Sequence, residues 1–172
     1  MSDVERPAGI DAKDISEFQA LTPAQIRQRC FNELENATDP DDILLLKRGI
    51  LQLTAYLNPD DIEGLFGIGI VARNEGELEG AACTDYTIGK GIDVEAFHDN
   101  MFKNYKAGIV PTTGAYALYS FLGILKHIGR VTDRGTVISK WGPNGHVYEH
   151  DPKMVPLQYG DSITYYLPPG RQ

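Results

Sequence analysis

Apolar residues between positions 43 and 57 recur at intervals of three and four, whereas those of the last third alternate with polar ones. The first period belongs to helices and the second to strands, so the chain reads as a helical layer followed by an antiparallel sheet, an α+β fold. Three helix starts share one grammar: Thr22-Pro23-Ala24-Gln25, Asp39-Pro40-Asp41-Asp42 and Asn58-Pro59-Asp60-Asp61. Each offers a capping side chain, a proline at the first helical position and an acceptor three residues after the cap. In the first helix Ile26, Cys30, Phe31 and Leu34 share a side, which makes Cys30 a packing residue; in the second the stripe is Ile43, Leu46, Ile50, Leu53 and Leu57. The third is short, with Ile62, Leu65 and Phe66 ahead of Gly67. Glycines crowd residues 64 to 80, which predicts a short strand or an irregular connection. Asp93 then caps a helix through Val94, Phe97, Met101 and Tyr105, closed by Lys103, Lys106 and Gly108.

The strands follow from period two. A run over 115–121 leads into a hairpin with arms 125–132 and 136–141, and further strands span 146–149 and 162–167. Turns fall at Gly142-Pro143-Asn144-Gly145 and Tyr159-Gly160-Asp161. If Asp133, Arg134 and Gly135 form a three-residue loop with Gly135 left-handed, Thr132 sits opposite Thr136. That register pairs Gly129 with Ser139 and His127 with Trp141. One face then carries His127, Ser139 and Trp141 among Leu125, Val131 and Val137, with the indole as a wall beside the imidazole.

Composition narrows the class. At 172 residues the chain has room for one domain over 21–172, with residues 1–20 as a flexible arm, 21–66 as the helical layer and 80–167 as the core of the sheet. A net charge of −8 argues against a nucleic-acid partner, because phosphate binding relies on Lys and Arg. No stretch approaches the length of a membrane span, and the first residues lack the basic and apolar regions of a secretory signal. The expectation is cytoplasmic synthesis, with export by a specialised secretion system left open. Two cysteines 53 positions apart do not suggest a disulfide framework.

The candidate chemistry is thiolate catalysis. Small residues, Gly80-Ala81-Ala82, approach Cys83, and a helix lies between it and the strand carrying His127. A thiol of ordinary pKa is mostly protonated at neutral pH, and an adjacent imidazole can take its proton. Ser139 would orient the imidazole from a diagonal position, roughly 7–8 Å away between Cα atoms. His146, His150, a backbone carbonyl or water are the alternatives. Trp141, Asp85, Tyr86 and Lys140 are the candidates to contact substrate. Cys83, His146 and His150 could be drawn as a zinc site, but His-x3-His along a strand separates the two rings, and no metal or cofactor is expected.

Cys83 before a helix, His127-Ile128-Gly129-Arg130-Val131 on a strand and a polar residue on the next strand resemble the NlpC/P60 peptidases and their CHAP relatives. The segments Ser139-Lys140-Trp141-Gly142, Val147-Tyr148-Glu149-His150 and Tyr159-Gly160-Asp161 extend the resemblance over residues 80 to 167. Ala82 and Thr84 flank the cysteine where that family has Asp and Ser. The resemblance implies a papain-like fold and a cysteine hydrolase, an amidase, peptidase or deamidase, acting on an amide bond of a peptide or peptidoglycan-type substrate. Cys83 would be the nucleophile, His127 the base and Ser139 the third member, as suits a bacterial effector or toxin. The competing expectation is a non-catalytic interaction or immunity-type module on the same fold, with Cys83 and His127 as packing residues.

Overall fold

The structure is a computed structural model and describes residues 22–52, 62, 66–73 and 75–170. Helices α1 (Pro23–Asn36) and α2 (Pro40–Leu51) come first. Strand β1 (Gly69–Ala72), helix α3 (Cys83–Ile88), helix α4 (Val94–Asn104) and strand β2 (Lys106–Gly108) follow. The chain then runs through β3 (Tyr116–Phe121), β4 (Ile124–Val131), β5 (Val137–Lys140), β6 (Val147–His150) and β7 (Ser162–Leu167). All seven strands join one sheet in the order β1-β6-β5-β4-β3-β7-β2, with every neighbouring pair antiparallel. The fold is α+β, and among the described residues no helix is long and apolar enough to cross a membrane. The expected arm over 1–20, and the third helix apart from Ile62 and Phe66, lie outside the described residues; those two are buried.

Capping explains where the helices start. The Thr22 hydroxyl accepts from the Gln25 amide while Gln25 Oε1 accepts from the Thr22 amide, and Asp39 accepts from the amides of Asp41 and Asp42. Asp93 does the same for α4 through Glu95 and Ala96. Helix α4 ends at Asn104, and Lys106 to Gly108, expected as its closing residues, instead form β2 at the sheet edge. Of the expected stripe of α2, Ile50 is buried and Ile43 and Leu46 are half-buried, while Leu53 and Leu57 lie outside the described residues; Leu51 is fully buried beside Ile50, and Arg48 donates to the carbonyls of Val155 and Gly160.

Both faces of the sheet are covered. One packs Ala117, Tyr119, Val131, Val137 and Tyr148 against Leu34 of α1, Ile50 and Leu51 of α2 and the segment carrying Val155 and Tyr159. The other packs Tyr116, Leu118 and Ile128 against Cys83 and Ile88 of α3 and Phe97 and Met101 of α4. The sheet therefore separates two cores, and successive strand residues serve opposite ones.

The hairpin of β4 and β5 closes as the sequence implies. Gly135 has φ 78°, the Thr132 amide donates to the Thr136 carbonyl at 2.9 Å, and the ladder continues through Val131 with Val137 and Arg130 with Ile138. It stops there, so the expected pairing of His127 with Trp141 is not formed. A β-bulge at the other end, where Tyr119 pairs with His127 but Ser120 with Leu125, leaves Lys126 as the extra residue. The alternation therefore flips, and Leu125 packs in the α3/α4 core rather than sharing a face with His127.

Candidate functional site

Helix α3 begins at Cys83 because Asp85 reaches back to the Ala82 amide at 3.0 Å, and it ends where Gly89 takes φ 111°. Its short barrel packs against β4 and β5 where their ladder has lapsed. The amide and carbonyl of Val131 point to β3, bonding with Ala115 and Gly114, so by alternation those of Ile128 point to the β5 side. There Thr87 Oγ1 donates to the Ile128 carbonyl at 3.3 Å, and the Cys83 sulfur takes a hydrogen bond from the Ile128 backbone. Two side chains of α3 thus substitute for a missing strand partner. Burial raises the Cys83 thiol above the usual cysteine range, more than the backbone donors of Ile128, Thr84 and Cys83 itself lower it, and Asp85 adds to the rise.

His127 is adjacent to Ile128 on β4 and therefore points to the opposite face. It is 1% exposed, stacks on the Tyr159 ring with centroids 3.9 Å apart at 11°, and lies 5.5 Å from the Tyr119 ring. Neither ring nitrogen has a hydrogen-bond partner among the described residues. Burial first, and His150 second, hold its pKa well below the ordinary histidine value, so the ring is neutral. The structure sets Cys83 of α3 against Ile128, the neighbour of His127 on β4, but on the opposite face of the sheet, and among the described residues the expected thiol–imidazole hydrogen bond is absent. A strand cannot present residues i and i+1 to one site without a bulge between them, and the bulge at Lys126 precedes both.

Ser139 is fully buried and contacts His150 and Trp141 instead of His127. The His150 Nδ1 atom lies 2.8 Å from the Asp151 carbonyl, which can only accept, so Nδ1 carries the proton. In the neutral ring Nε2 is then the acceptor, and the Ser139 hydroxyl donates to it at 2.9 Å while accepting from Trp141 Nε1 at 3.1 Å. Burial pushes His150 down to about 4, with the Asp151 carbonyl opposing. The chain Trp141, Ser139, His150 and the Asp151 carbonyl has the connectivity of a hydroxyl activated by an oriented base, but Ser139 and His150 are sealed at 0% and 1% exposure. It satisfies buried polar groups and holds β5, β6 and the segment after β6 together.

The remaining candidates are committed elsewhere. Lys140, expected to contact substrate, is fully buried and donates to the carbonyls of Gly142, Pro143 and Gly145 at 2.8, 2.9 and 3.0 Å, which fastens the turn between β5 and β6. Burial lowers its pKa, although the nearby Cys83 opposes this. Trp141 is an interior ring 4.3 Å from Tyr148 and 5.4 Å from His150 rather than a wall beside His127. Asp85 is the cap of α3, and Tyr86 is half-buried on it with its hydroxyl pKa raised by burial. Among the described residues no three His, Cys, Asp or Glu side chains are placed to hold a metal ion, and His150 and Cys83 of the drawn zinc set belong to opposite cores.

Three residues with structural weight escaped the sequence reading. Tyr159 had no periodic signal, since it lies in a single turn of 3-10 helix (Leu157–Tyr159). Arg48 was masked by the leucines around it, although a lone arginine on an apolar helix face is itself a signal for a buried acceptor. Gly129 entered the sequence reading as the register partner of Ser139, but a Cβ there would collide with Val137 and lie 2.9 Å from Ser139 Cβ, so the glycine marks a close approach of β4 and β5. Comparison with known proteins found no matching family model, no matching curated protein and no matching solved structure.

Proposed function

We propose that the chain is a non-catalytic interaction module of the immunity type, on an α+β scaffold that resembles the papain-like NlpC/P60 arrangement, with Cys83 and His127 as packing residues. The observation that carries this reading is the placement of the two side chains on opposite faces of β4, the thiol raised in pKa and the imidazole sealed and neutral. Thiolate catalysis requires the reverse shifts and direct contact. An exposed apolar patch at the β3–β4 turn supports the reading, with Phe121, Leu122 and Ile124 at 50%, 85% and 61% exposure. Leu122 there holds φ 50°, a conformation that disfavours a leucine and is expected to persist where it serves a contact.

A second reading is the cysteine hydrolase implied by the family resemblance. It is favoured by one feature: Cys83 occupies the first turn of a helix packed on a central strand, with backbone donors at its sulfur. Alkylation separates the two. The module reading expects Cys83 to react with iodoacetamide at mildly acidic pH no faster than a small-molecule thiol, by peptide mapping, and to be indifferent to His127→Phe. Rapid alkylation that disappears in His127→Phe would favour the hydrolase.

A further inference from the structure

A cavity of about 700 Å³ lies between α2, the segment after β6 and the start of β7, on the side of the sheet away from Cys83. Its size falls within the range of pockets that hold small ligands. The walls include Leu44, Val155 and Ile163, which are apolar, and four charged side chains, Arg48, Lys153, Asp151 and Asp161.

Charges of both signs line it, with Asp161 within electrostatic reach of Arg48 but outside ion-pair contact. Arg48 is anchored through Nε to the Val155 carbonyl and through Nη2 to the Gly160 carbonyl, which fixes the plane of the guanidinium. Its Nη1 has no hydrogen bond among the described residues, and no carboxylate lies in ion-pair contact with it there. Asp151 uses Oδ1 to accept from the Lys153 amide and keeps Oδ2, while Asp161 accepts no hydrogen bond among the described residues. Behind this wall the Tyr119 hydroxyl is buried without a partner, within electrostatic reach of Arg48, Asp151 and Tyr165, all of which line the cavity.

Each simple class of ligand is disfavoured by one half of this lining. An anion would meet two carboxylates, a cation would meet Arg48 and Lys153, and an apolar molecule would desolvate four charges without pairing them. We propose that the cavity binds a small zwitterion with an apolar body, an α-amino acid or a short free peptide, its carboxylate on Arg48 and its ammonium on Asp161 and Asp151. A planar, pre-oriented guanidinium suits a carboxylate, and Leu44, Val155 and Ile163 receive the apolar body. This inference is independent of whether Cys83 is reactive.

Calorimetric titration of the whole chain with L-leucine, Leu-Leu, N-acetyl-leucine and leucinamide tests it. Saturable binding of leucine or Leu-Leu is expected, weakened about tenfold or more when either end is capped. The tighter of the two free ligands identifies the source as amino acid or peptide. Asp161 is exposed, so Asp161→Asn should leave the melting temperature unchanged, and it should weaken the free zwitterion without weakening N-acetyl-leucine, which loses only a repulsive carboxylate. The proposal is overturned if neither free ligand binds at about 10 mM, if the capped forms bind as well as the free ones, or if Asp161→Asn changes nothing.

Discussion

His127 and His150 are neutral rings in one core, and this gives the protein a defined acid response. In the unfolded chain both would titrate near the ordinary histidine value of about 6.5, whereas in the folded chain His150 is held at about 4 and His127 well below its usual value. Between those limits the unfolded state binds more protons, so the histidine contribution to stability is flat above pH ~6.5 and falls as pH drops toward ~4. For His150 alone the loss is on the order of 3 kcal/mol, read from urea midpoints across that window. His127→Phe keeps the stack on Tyr159 and removes two unpartnered nitrogens. It should stabilise the fold by roughly 1–3 kcal/mol at neutral pH and make the acid slope shallower. A destabilised variant with an unchanged slope would show that the ring nitrogens have partners. Ser139→Ala would strip the Trp141 donor and the His150 acceptor of their shared hydroxyl, with an expected loss of about 1–3 kcal/mol in denaturant titrations.

Among the elements, the two turns of the β3-β4-β5 meander behave differently. The β4–β5 loop was legible because Gly135 satisfies a left-handed position in a three-residue loop and the two threonines close it. The β3–β4 turn has Leu122 and Gly123 both at positive φ, and leucine gives no such signal. Leu122→Asn should therefore raise stability by about 1 kcal/mol, because asparagine tolerates the left-handed region that leucine resists. A lower melting temperature would mean that Leu122 contributes packing within the chain. Gly129→Ala tests the close approach of β4 and β5: a methyl there meets Val137 Cγ1 and lies 3.0 Å from the Ile138 carbonyl, and a loss of about 2 kcal/mol or more is expected. Near-normal stability would contradict the observed spacing. The bulge at Lys126 left no mark in the sequence, since a polar residue in an alternating run fits either register.

For the molecule as a whole, the caps, most strands and the α+β class could be read because they rest on local rules that Thr22, Asp39, Asp93 and the alternation of β4 from His127 onward obey. The site was legible only as a set of residues. Whether Cys83 and His127 meet depends on which side of β4 helix α3 packs, and nothing local to either residue encodes that choice. The polar network of Trp141, Ser139 and His150 was half visible, since His150 was among the candidates to orient a base. Its actual role follows from β5–β6 pairing, where Ser139 faces Tyr148 and Val137 faces His150, so that His150 reaches Ser139 diagonally. Among the described residues both faces of the sheet are filled, and the central strand β4 itself separates the thiol from the imidazole.

The most direct measurement of that separation is the ionisation of the Cys83 thiol, followed by its thiolate absorbance in a Cys30→Ala background, with and without His127→Phe. Opposite-face packing predicts a titration at or above the ordinary cysteine range of about 8.5, identical in the two proteins. A thiolate that forms several units lower and reverts in His127→Phe would place the sulfur and the imidazole in one ion pair and contradict it.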